Sequence, residues 1–344
     1  MDRLLSNYKH KGRGEILSKG HCNSARLYHL SKLVFCNSIY CRIDLIIYIG
    51  YIHGAYINFA GKELWRVNED GVVRDPYQNL TYVFEMSEMD FFSHYAKEKK
   101  NNTIFEHCMN VTNDLHSKIP ELPFSNMWIA KETSKKIPEN SVLHISILNT
   151  LRSWNYFETP SSVLCFTNSG GFGIDGCLSS FIGSAKTNKD IEHYMIVGDL
   201  SFFYDVNVVF NELPNNVHIM LINNGVGTEF KNYNHRASYF GEDANSFMAA
   251  KGHNGFKSPS VVKNICSNLG IKYIAASNKE QYLLVQEEWI KKTETPILLE
   301  IFTSDKDESE ALELMNKVEK DVNLKEVLKQ TKVGKIAKKI IKGR

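Results

Sequence analysis

The sequence lacks the cysteine pairs and the excess of one charge that would place it in several large classes of protein. Its seven cysteines are spread over 344 residues without a Cys-x-x-Cys pair, and their odd number argues against a disulfide framework or a zinc site. Lys and Arg number 41 against 39 Asp and Glu, which gives no argument for a nucleic-acid partner. We therefore expect reduced thiols in a cytoplasmic protein that binds no nucleic acid.

From the sequence we also expect neither a signal peptide nor a membrane-spanning segment. The first residues lead into a polar stretch without the apolar core of a signal peptide. The most apolar early run, residues 33–59, is interrupted by Asn37, Arg42, Asp44 and His53. Buried strands explain this run better than a membrane span.

Three common catalytic signatures do not stand out: a Ser-His-Asp order, a phosphate-binding P-loop and the ligand spacing of a zinc site. The strands of the N-terminal part are also not followed by the glycine fingerprint of dinucleotide-binding domains. The remaining candidates for a functional site are the polar clusters that follow predicted strands.

The sequence does contain an alternation of short apolar strands and helical stretches. Predicted strands cover residues 44–50, 63–67 and 80–84, and then 142–148, 162–166, 193–197, 218–222 and 296–301. Ser87 and Asp90 form a capping pattern that starts a helix ending near Lys97, and residues 98–140 are expected to connect two domains. The predicted fold class is α/β, a mostly parallel sheet flanked by helices with a partial Rossmann-like domain before it.

The C-terminal tail has its own pattern. From about Asn323, leucine, isoleucine and valine residues recur at helical spacing among many lysines, which predicts an amphipathic basic helix over residues 319–344. A docked terminal helix is favoured over contact with a membrane surface.

Two polar clusters follow consecutive strands of the second half. Residues 198–201 (Gly-Asp-Leu-Ser) follow one strand and residues 223–227 (Asn-Asn-Gly-Val-Gly) follow the next. Because the carboxyl ends of parallel strands meet at one edge, ligands bind there in open α/β sheets. Mg2+ prefers oxygen ligands completed by phosphate, so Asp199, Asn224 and the carbonyl of Val226 are candidate ligands. Gly198, Leu200 and Ser201 are candidates for holding a diphosphate at the following helix.

This pair of clusters resembles the signature of thiamine diphosphate (ThDP)-dependent enzymes. A second stretch, residues 168–176 (Asn-Ser-Gly-Gly-Phe-Gly-Ile-Asp-Gly), resembles the segment that cradles the cofactor rings in that family. The resemblance is nearest to the 2-succinyl-5-enolpyruvyl-6-hydroxy-3-cyclohexene-1-carboxylate synthase and acetolactate synthase branch. It implies that Ile174 wedges the cofactor into its bent shape and that the carbonyl of Gly173 accepts its 4′-amino group. It also implies cofactor contacts from four further residues, Thr150, Ser169, Gly171 and Phe172.

The resemblance further implies a domain order and a partner. Residues 1–125 are expected to hold part of the family's middle Rossmann-like domain, and residues 126–318 the diphosphate-binding domain. The family's N-terminal domain carries a glutamate that activates the cofactor, and we find no segment that matches it. We expect one of three arrangements: the chain is a fragment, a homodimer mate or partner chain supplies the glutamate, or the protein is not catalytic alone.

Two positions depart from the family and bear on the substrate. Trp154 and Ser169 stand where the menaquinone-pathway enzymes carry arginines, and Arg152 would compensate only with a different geometry. Loss of guanidinium contacts weakens dicarboxylate binding. We therefore expect another 2-oxo acid substrate, with surface-polysaccharide synthesis as one setting. Three residues after the Asn-Asn turn, Glu229, His235 and His253, are weaker candidates for proton transfer.

Three hypotheses follow. The first is a ThDP- and Mg2+-dependent decarboxylase or carboligase, a lyase or transferase that works when the missing domain is supplied. The second is a truncated, non-catalytic subunit or remnant. The third is a flavodoxin-like or Rossmann-like nucleotide-binding module that does not bind ThDP.

Overall fold

The computed structural model describes residues 45–49, 63–75, 77–95, 103–168, 173–231, 235–246 and 259–330. Its described residues fall into two compact units. The first contains residues up to Ile119 and again from Met315, and the second contains Pro120–Leu314. The predicted domain boundaries at 125/126 and 318/319 stay predictions. Among the described helices, none combines the length and the apolar character needed to cross a membrane.

The first unit contains a small parallel sheet. Its strands are β1 (Leu45–Ile49), β2 (Glu63–Val67) and β3 (Leu80–Phe84), and β2 pairs with both neighbours. Helices α1 (Glu88–Tyr95) and α2 (Thr103–Ser117) follow. Ser87 accepts a hydrogen bond from the Asp90 amide at 3.1 Å, as the capping pattern predicted. The buried ring of Phe91 packs 5.0 Å from that of Phe84 and closes this core.

The second unit contains a six-stranded, fully parallel sheet. Its strands are β4 (Val142–Ile145), β5 (Leu164–Phe166), β6 (His193–Gly198), β7 (Val217–Asn223), β8 (Lys272–Ala276) and β9 (Ile297–Phe302), in the spatial order β5-β4-β6-β7-β9-β8. The helices that begin in this unit are α3 (Asn126–Thr133), α4 (Asn149–Trp154), α5 (Cys177–Thr187), α6 (Asp199–Tyr204), α7 (Thr228–Lys231), α8 (Pro259–Asn268), α9 (Lys279–Ile290) and α10 (Asp305–Gln330), whose residues from Met315 onward belong to the first unit.

The central strands are mostly apolar because helices cover both faces of the sheet. Every residue of β7 is buried, as are the first five residues of β6. Gly198 of β6 is paired with Ile222 of β7, so these two strands end nearly level. The α/β class with parallel sheets flanked by helices is confirmed.

Several details differ from the predicted elements. Strand β4 ends at Ile145 rather than at residue 148, because Leu148 adopts a positive φ of 71° directly before α4. Strand β8 and helix α3 were not predicted, and α2 and α3 lie in the stretch expected to be a connection. Helix α10 runs to Gln330, and the rest of the predicted tail helix lies outside the described residues.

Candidate functional site

The first predicted cluster lies where β6 ends and α6 begins. Asp199 is the first residue of α6 and is only 6% exposed. One carboxylate oxygen, Oδ2, accepts a hydrogen bond from the main-chain N–H of Gly225 at 2.7 Å, and Oδ1 accepts one from Leu200 N–H at 2.9 Å. Asp199 thereby links the ends of two neighbouring strands through a residue that lies 26 positions further along the chain.

The second cluster forms a tight turn after β7. Asn224 Oδ1 accepts a hydrogen bond from Val226 N–H at 3.1 Å, and the carbonyl of Val226 accepts one from Thr228 N–H at 2.9 Å. Gly225 has a φ of 77°, which a glycine adopts without the steric penalty of a side chain. The structure therefore brings the three predicted metal ligands to one edge, within two short, hydrogen-bonded turns.

Gly198 lies beside the start of α4. Its N–H donates to Ser146 Oγ at 3.3 Å. A Cβ added to Gly198 would find Thr150 Oγ1 as its nearest neighbour, at 3.9 Å, which is ordinary van der Waals contact. Thr150, a predicted cofactor residue, is thus next to the Gly-Asp turn.

The glycine-rich stretch is described only from Gly173 onward. Ser201 Oγ donates a hydrogen bond to the carbonyl of Ile174 at 2.6 Å, so this stretch is tied to α6. Gly173 and Ile174 are both half-buried. The predicted cofactor residues Ser169, Gly171 and Phe172 lie outside the described residues, as does His253.

Helix α7 is held against α4 by two side-chain contacts. Asn149 donates to Thr228 Oγ1, and the guanidinium of Arg152 is paired with the carboxylate of Glu229. Arg152, which would compensate for a missing arginine only with a different geometry, is thus paired with an acid. His235 lies 5.1 Å from Phe230, ring centroid to ring centroid.

Several curated synthases that share one name are similar in sequence to this chain. The synthase called 2-succinyl-5-enolpyruvyl-6-hydroxy-3-cyclohexene-1-carboxylate synthase from Christiangramia forsetii is 33% identical over 199 residues, which are 56% of this chain and 32% of that protein. The enzyme of that name from Bacteroides thetaiotaomicron is 29% identical over 254 residues, 71% of this chain and 43% of the relative. The predicted resemblance is confirmed. The chain thus spans less than half the length of these curated relatives, and no family model matches it.

Trp154 is a position where this chain departs from the pattern expected for synthases of that name. Trp154 is 2% exposed, and its indole N–H donates to Asn126 Oδ1 at 3.1 Å. Asn126 in turn donates to Thr150 Oγ1 at 3.2 Å. The side chain therefore packs inside the unit and supports Thr150, so that it presents no charge to a substrate.

We predict a local cost for removing this contact. Trp154→Phe leaves Asn126 Oδ1 without its indole donor, and a lost buried hydrogen bond costs about 1–2 kcal/mol of unfolding free energy, measured by urea titration. Trp289→Phe is the matched control, because its indole donates to the carbonyl of Ile219 at 3.0 Å elsewhere in the core. Cofactor affinity is expected to fall for Trp154→Phe alone, and an equal fall in both variants would contradict the supporting role.

The structure also identifies two buried acids that sequence reasoning missed. Glu308 lies at the start of α10, and its Oε1 accepts hydrogen bonds from Asn126 N–H at 2.9 Å and Thr303 Oγ1 at 2.7 Å. Burial, the largest effect, raises the pKa of Glu308 to about 7, and the nearby charge of Asp199 adds to it. Glu300 lies inside β9, and no local pattern marked either residue.

The described residues contain no cluster of three His, Cys, Asp or Glu side chains suited to a metal ion. A cation at Asp199 would therefore take one carboxylate, neutral oxygens and the oxygens of its ligand. That donor set matches what a hard divalent ion bound with a diphosphate takes from a protein.

Proposed function

We propose that this chain binds ThDP together with a divalent cation, preferably Mg2+, as the diphosphate-binding part of a ThDP-dependent decarboxylase or carboligase. The observation that carries the proposal is the hydrogen bond between Asp199 and Gly225. It places a buried carboxylate against the Asn-Asn turn at the carboxyl ends of neighbouring parallel strands, where such ligands bind. The similarity to the named synthases supports the same assignment.

The residues fit this cofactor and ion. Asp199 Oδ1 and Oδ2, Asn224 Oδ1 and the Val226 carbonyl all accept hydrogen bonds in the structure. Carboxylate, amide and carbonyl oxygens carry two lone pairs, so an oxygen that accepts a hydrogen bond can also be a cation ligand. In the proposed site these oxygens hold the ion, and nearby main-chain amides hold the diphosphate together with Ser201, whose hydroxyl would turn from the Ile174 carbonyl to a phosphate oxygen. Ile174 supports the rings. The bound cofactor supplies carbanion-stabilising chemistry at a 2-oxo acid.

The finer features are part of the same proposal. The substrate is a small 2-oxo acid other than the relatives' substrate, because the described part of the site has Trp154 and the Arg152–Glu229 pair in place of arginines available for carboxylates. Surface-polysaccharide synthesis is a fitting setting. A homodimer mate or a partner chain supplies the activating glutamate. The buried thiols of Cys165, Cys177 and Cys266 suit a cytoplasmic location.

Isothermal titration calorimetry tests the proposal. ThDP is expected to bind the purified chain with Mg2+ present, and to bind much more weakly after the metal is removed by chelation. Thiamine, which lacks the diphosphate, is the matched control and is expected to show no dependence on Mg2+. Absence of ThDP binding, both for the chain alone and for the chain mixed with the N-terminal part of a curated relative, would overturn the proposal. Binding without turnover of 2-oxo acids in that mixture would favour the non-catalytic alternative.

A further inference from the structure

The centre of strand β9 contains a carboxyl group that the proposed cofactor site does not use. Glu300 is 0% exposed, and its backbone is paired with Leu221 of β7 on one side and Ala275 of β8 on the other. A glutamate is almost never fully buried unless it is paired. Burial raises the pKa of Glu300. Burying a carboxyl group costs free energy that burying an apolar side chain does not. We therefore expect Glu300 to have a role that an apolar residue cannot fill.

Each carboxyl oxygen of Glu300 accepts one hydrogen bond from a neighbouring strand. Oε1 accepts from Asn223 Nδ2 at 2.8 Å, and Oε2 accepts from the hydroxyl of Tyr273 at 2.7 Å. Asn223 ends β7 and Tyr273 lies in β8. A chain of side-chain hydrogen bonds therefore crosses the three strands and ends at Asn223, the first residue of the Asn-Asn-Gly turn.

Two hydrogen bonds connect Asn223 to β9 and to the residue that directly follows this strand. Its amide donates to Glu300, and its main-chain carbonyl accepts from Thr303 N–H at 3.2 Å. Its side-chain amide is directed at Glu300, whereas the side-chain oxygen of the adjacent Asn224 lies within the turn, where it accepts from Val226 N–H. The direction in which the turn leaves the sheet depends on how Asn223 is held.

We propose that Glu300 is a positioning residue for the turn that carries Asn224, Gly225 and Val226. By fixing the amide of Asn223, it holds these residues where Asp199 can accept the N–H of Gly225. The ligand part of this inference rests on the proposed function, whereas the effect on the turn is a property of the protein without cofactor. Groups outside the first coordination sphere commonly set metal affinity by orienting the ligands.

Three variants separate positioning from bulk stability. Glu300→Leu removes both acceptors and leaves the buried amide of Asn223 unsatisfied, whereas Glu300→Gln keeps an acceptor oxygen for it. Tyr273→Phe is the matched control, because it removes the other hydrogen bond and leaves the contact between Asn223 and Glu300 intact. All three are checked by thermal unfolding, so that affinity is compared only between folded proteins.

Calorimetry with ThDP and Mg2+ gives the first readout. Glu300→Leu is expected to weaken Mg2+-dependent binding by about 10- to 100-fold, the usual range for loss of an orienting group. Glu300→Gln and Tyr273→Phe are expected to stay close to the parent protein. If Glu300 acts through Asn223, the double variant Asn223→Ala, Glu300→Leu loses no more affinity than the weaker-binding single variant. Equal losses in Glu300→Leu and Tyr273→Phe would overturn the inference.

Amide hydrogen exchange gives a second readout that needs no cofactor. The N–H groups of Gly225 and Val226 are bonded to Asp199 and Asn224, so they report on the turn directly. Glu300→Leu is expected to raise their exchange rates about 10-fold or more by favouring local opening, while the amides of β6 keep their protection. Unchanged exchange at Gly225 and Val226, or the same rise throughout the unit, would overturn the inference. If the parent protein does not bind ThDP, the proposed function fails and this readout still decides the role of Glu300.

Discussion

Replacing Asp199 by asparagine is expected to reduce the Mg2+-dependent affinity for ThDP by about 100-fold or more, because loss of a direct ligand exceeds the 10- to 100-fold effect of orienting groups. Asparagine keeps the size of the side chain and an oxygen that accepts the Gly225 N–H. It removes the negative charge, which a hard divalent ion prefers among protein ligands. Binding without Mg2+ is expected to be nearly the same in the variant and the parent.

A control for this substitution lies six residues further along the same segment. The carboxylate of Asp205 accepts hydrogen bonds from the N–H of Ser179 at 2.7 Å and from its hydroxyl at 2.6 Å, in the first turn of α5. Asp205→Asn makes the same chemical change outside the proposed ion site, so calorimetry is expected to show unchanged affinity for ThDP with Mg2+. An affinity for Asp199→Asn equal to that of Asp205→Asn would contradict the assignment of Asp199.

The strands that hold this site were predictable because the sheet is buried on both faces. Continuous apolar runs marked β6 and β7 to within one residue at each end, and the polar clusters directly after them marked the edge. Strand β8 escaped prediction because it lies at the border of the sheet and begins with the exposed Lys272, so its apolar pattern is weaker. Local patterns thus located the turns that carry Asp199 and Asn224.

The surroundings of those turns were not predictable, because they depend on contacts between distant parts of the chain. Glu308 accepts from Asn126, which is 182 residues away, and Glu300 accepts from Asn223, which is 77 residues away. Trp154 could be recognised as a departure from the family, but its contact with Asn126 required the fold. Sequence spacing carries no signal for such pairs, since periodicity describes only which face of one element is buried.

Glu308 is expected to make the stability of the folded protein depend on pH. Its pKa is raised from 4.5 to about 7, with burial as the largest cause. Below pH 4.5 the carboxyl is protonated in both the folded and the unfolded chain, and this group favours neither. Between pH 4.5 and 7 the folded protein keeps the proton that the unfolded chain releases, so the contribution of Glu308 to stability falls as pH rises. Above pH 7 the loss is complete, on the order of 3 kcal/mol.

Glu308→Gln is expected to remove this loss. Both donors, Asn126 N–H and Thr303 Oγ1, bond to the same oxygen, Oε1, and the amide oxygen of glutamine can occupy that place. Urea titration without Mg2+ is expected to show the variant and the parent equally stable near pH 4.5. At pH 8 the variant is expected to be more stable, by on the order of 3 kcal/mol.

Two further variants identify the cause of that difference. Asp307→Asn changes the neighbouring carboxylate, which accepts from Ser304 Oγ at 2.6 Å, and it is expected to keep most of the pH dependence of the parent. Asp199→Asn removes a negative charge that helps to raise the pKa of Glu308, so it is expected to reduce the loss of stability between pH 4.5 and 7. Because the two carboxyl groups influence each other electrostatically, a cation bound at Asp199 is expected to lower the pKa of Glu308 as well. A stability difference between Glu308→Gln and the parent that does not change with pH would show that Glu308 titrates alike in the folded and unfolded chains.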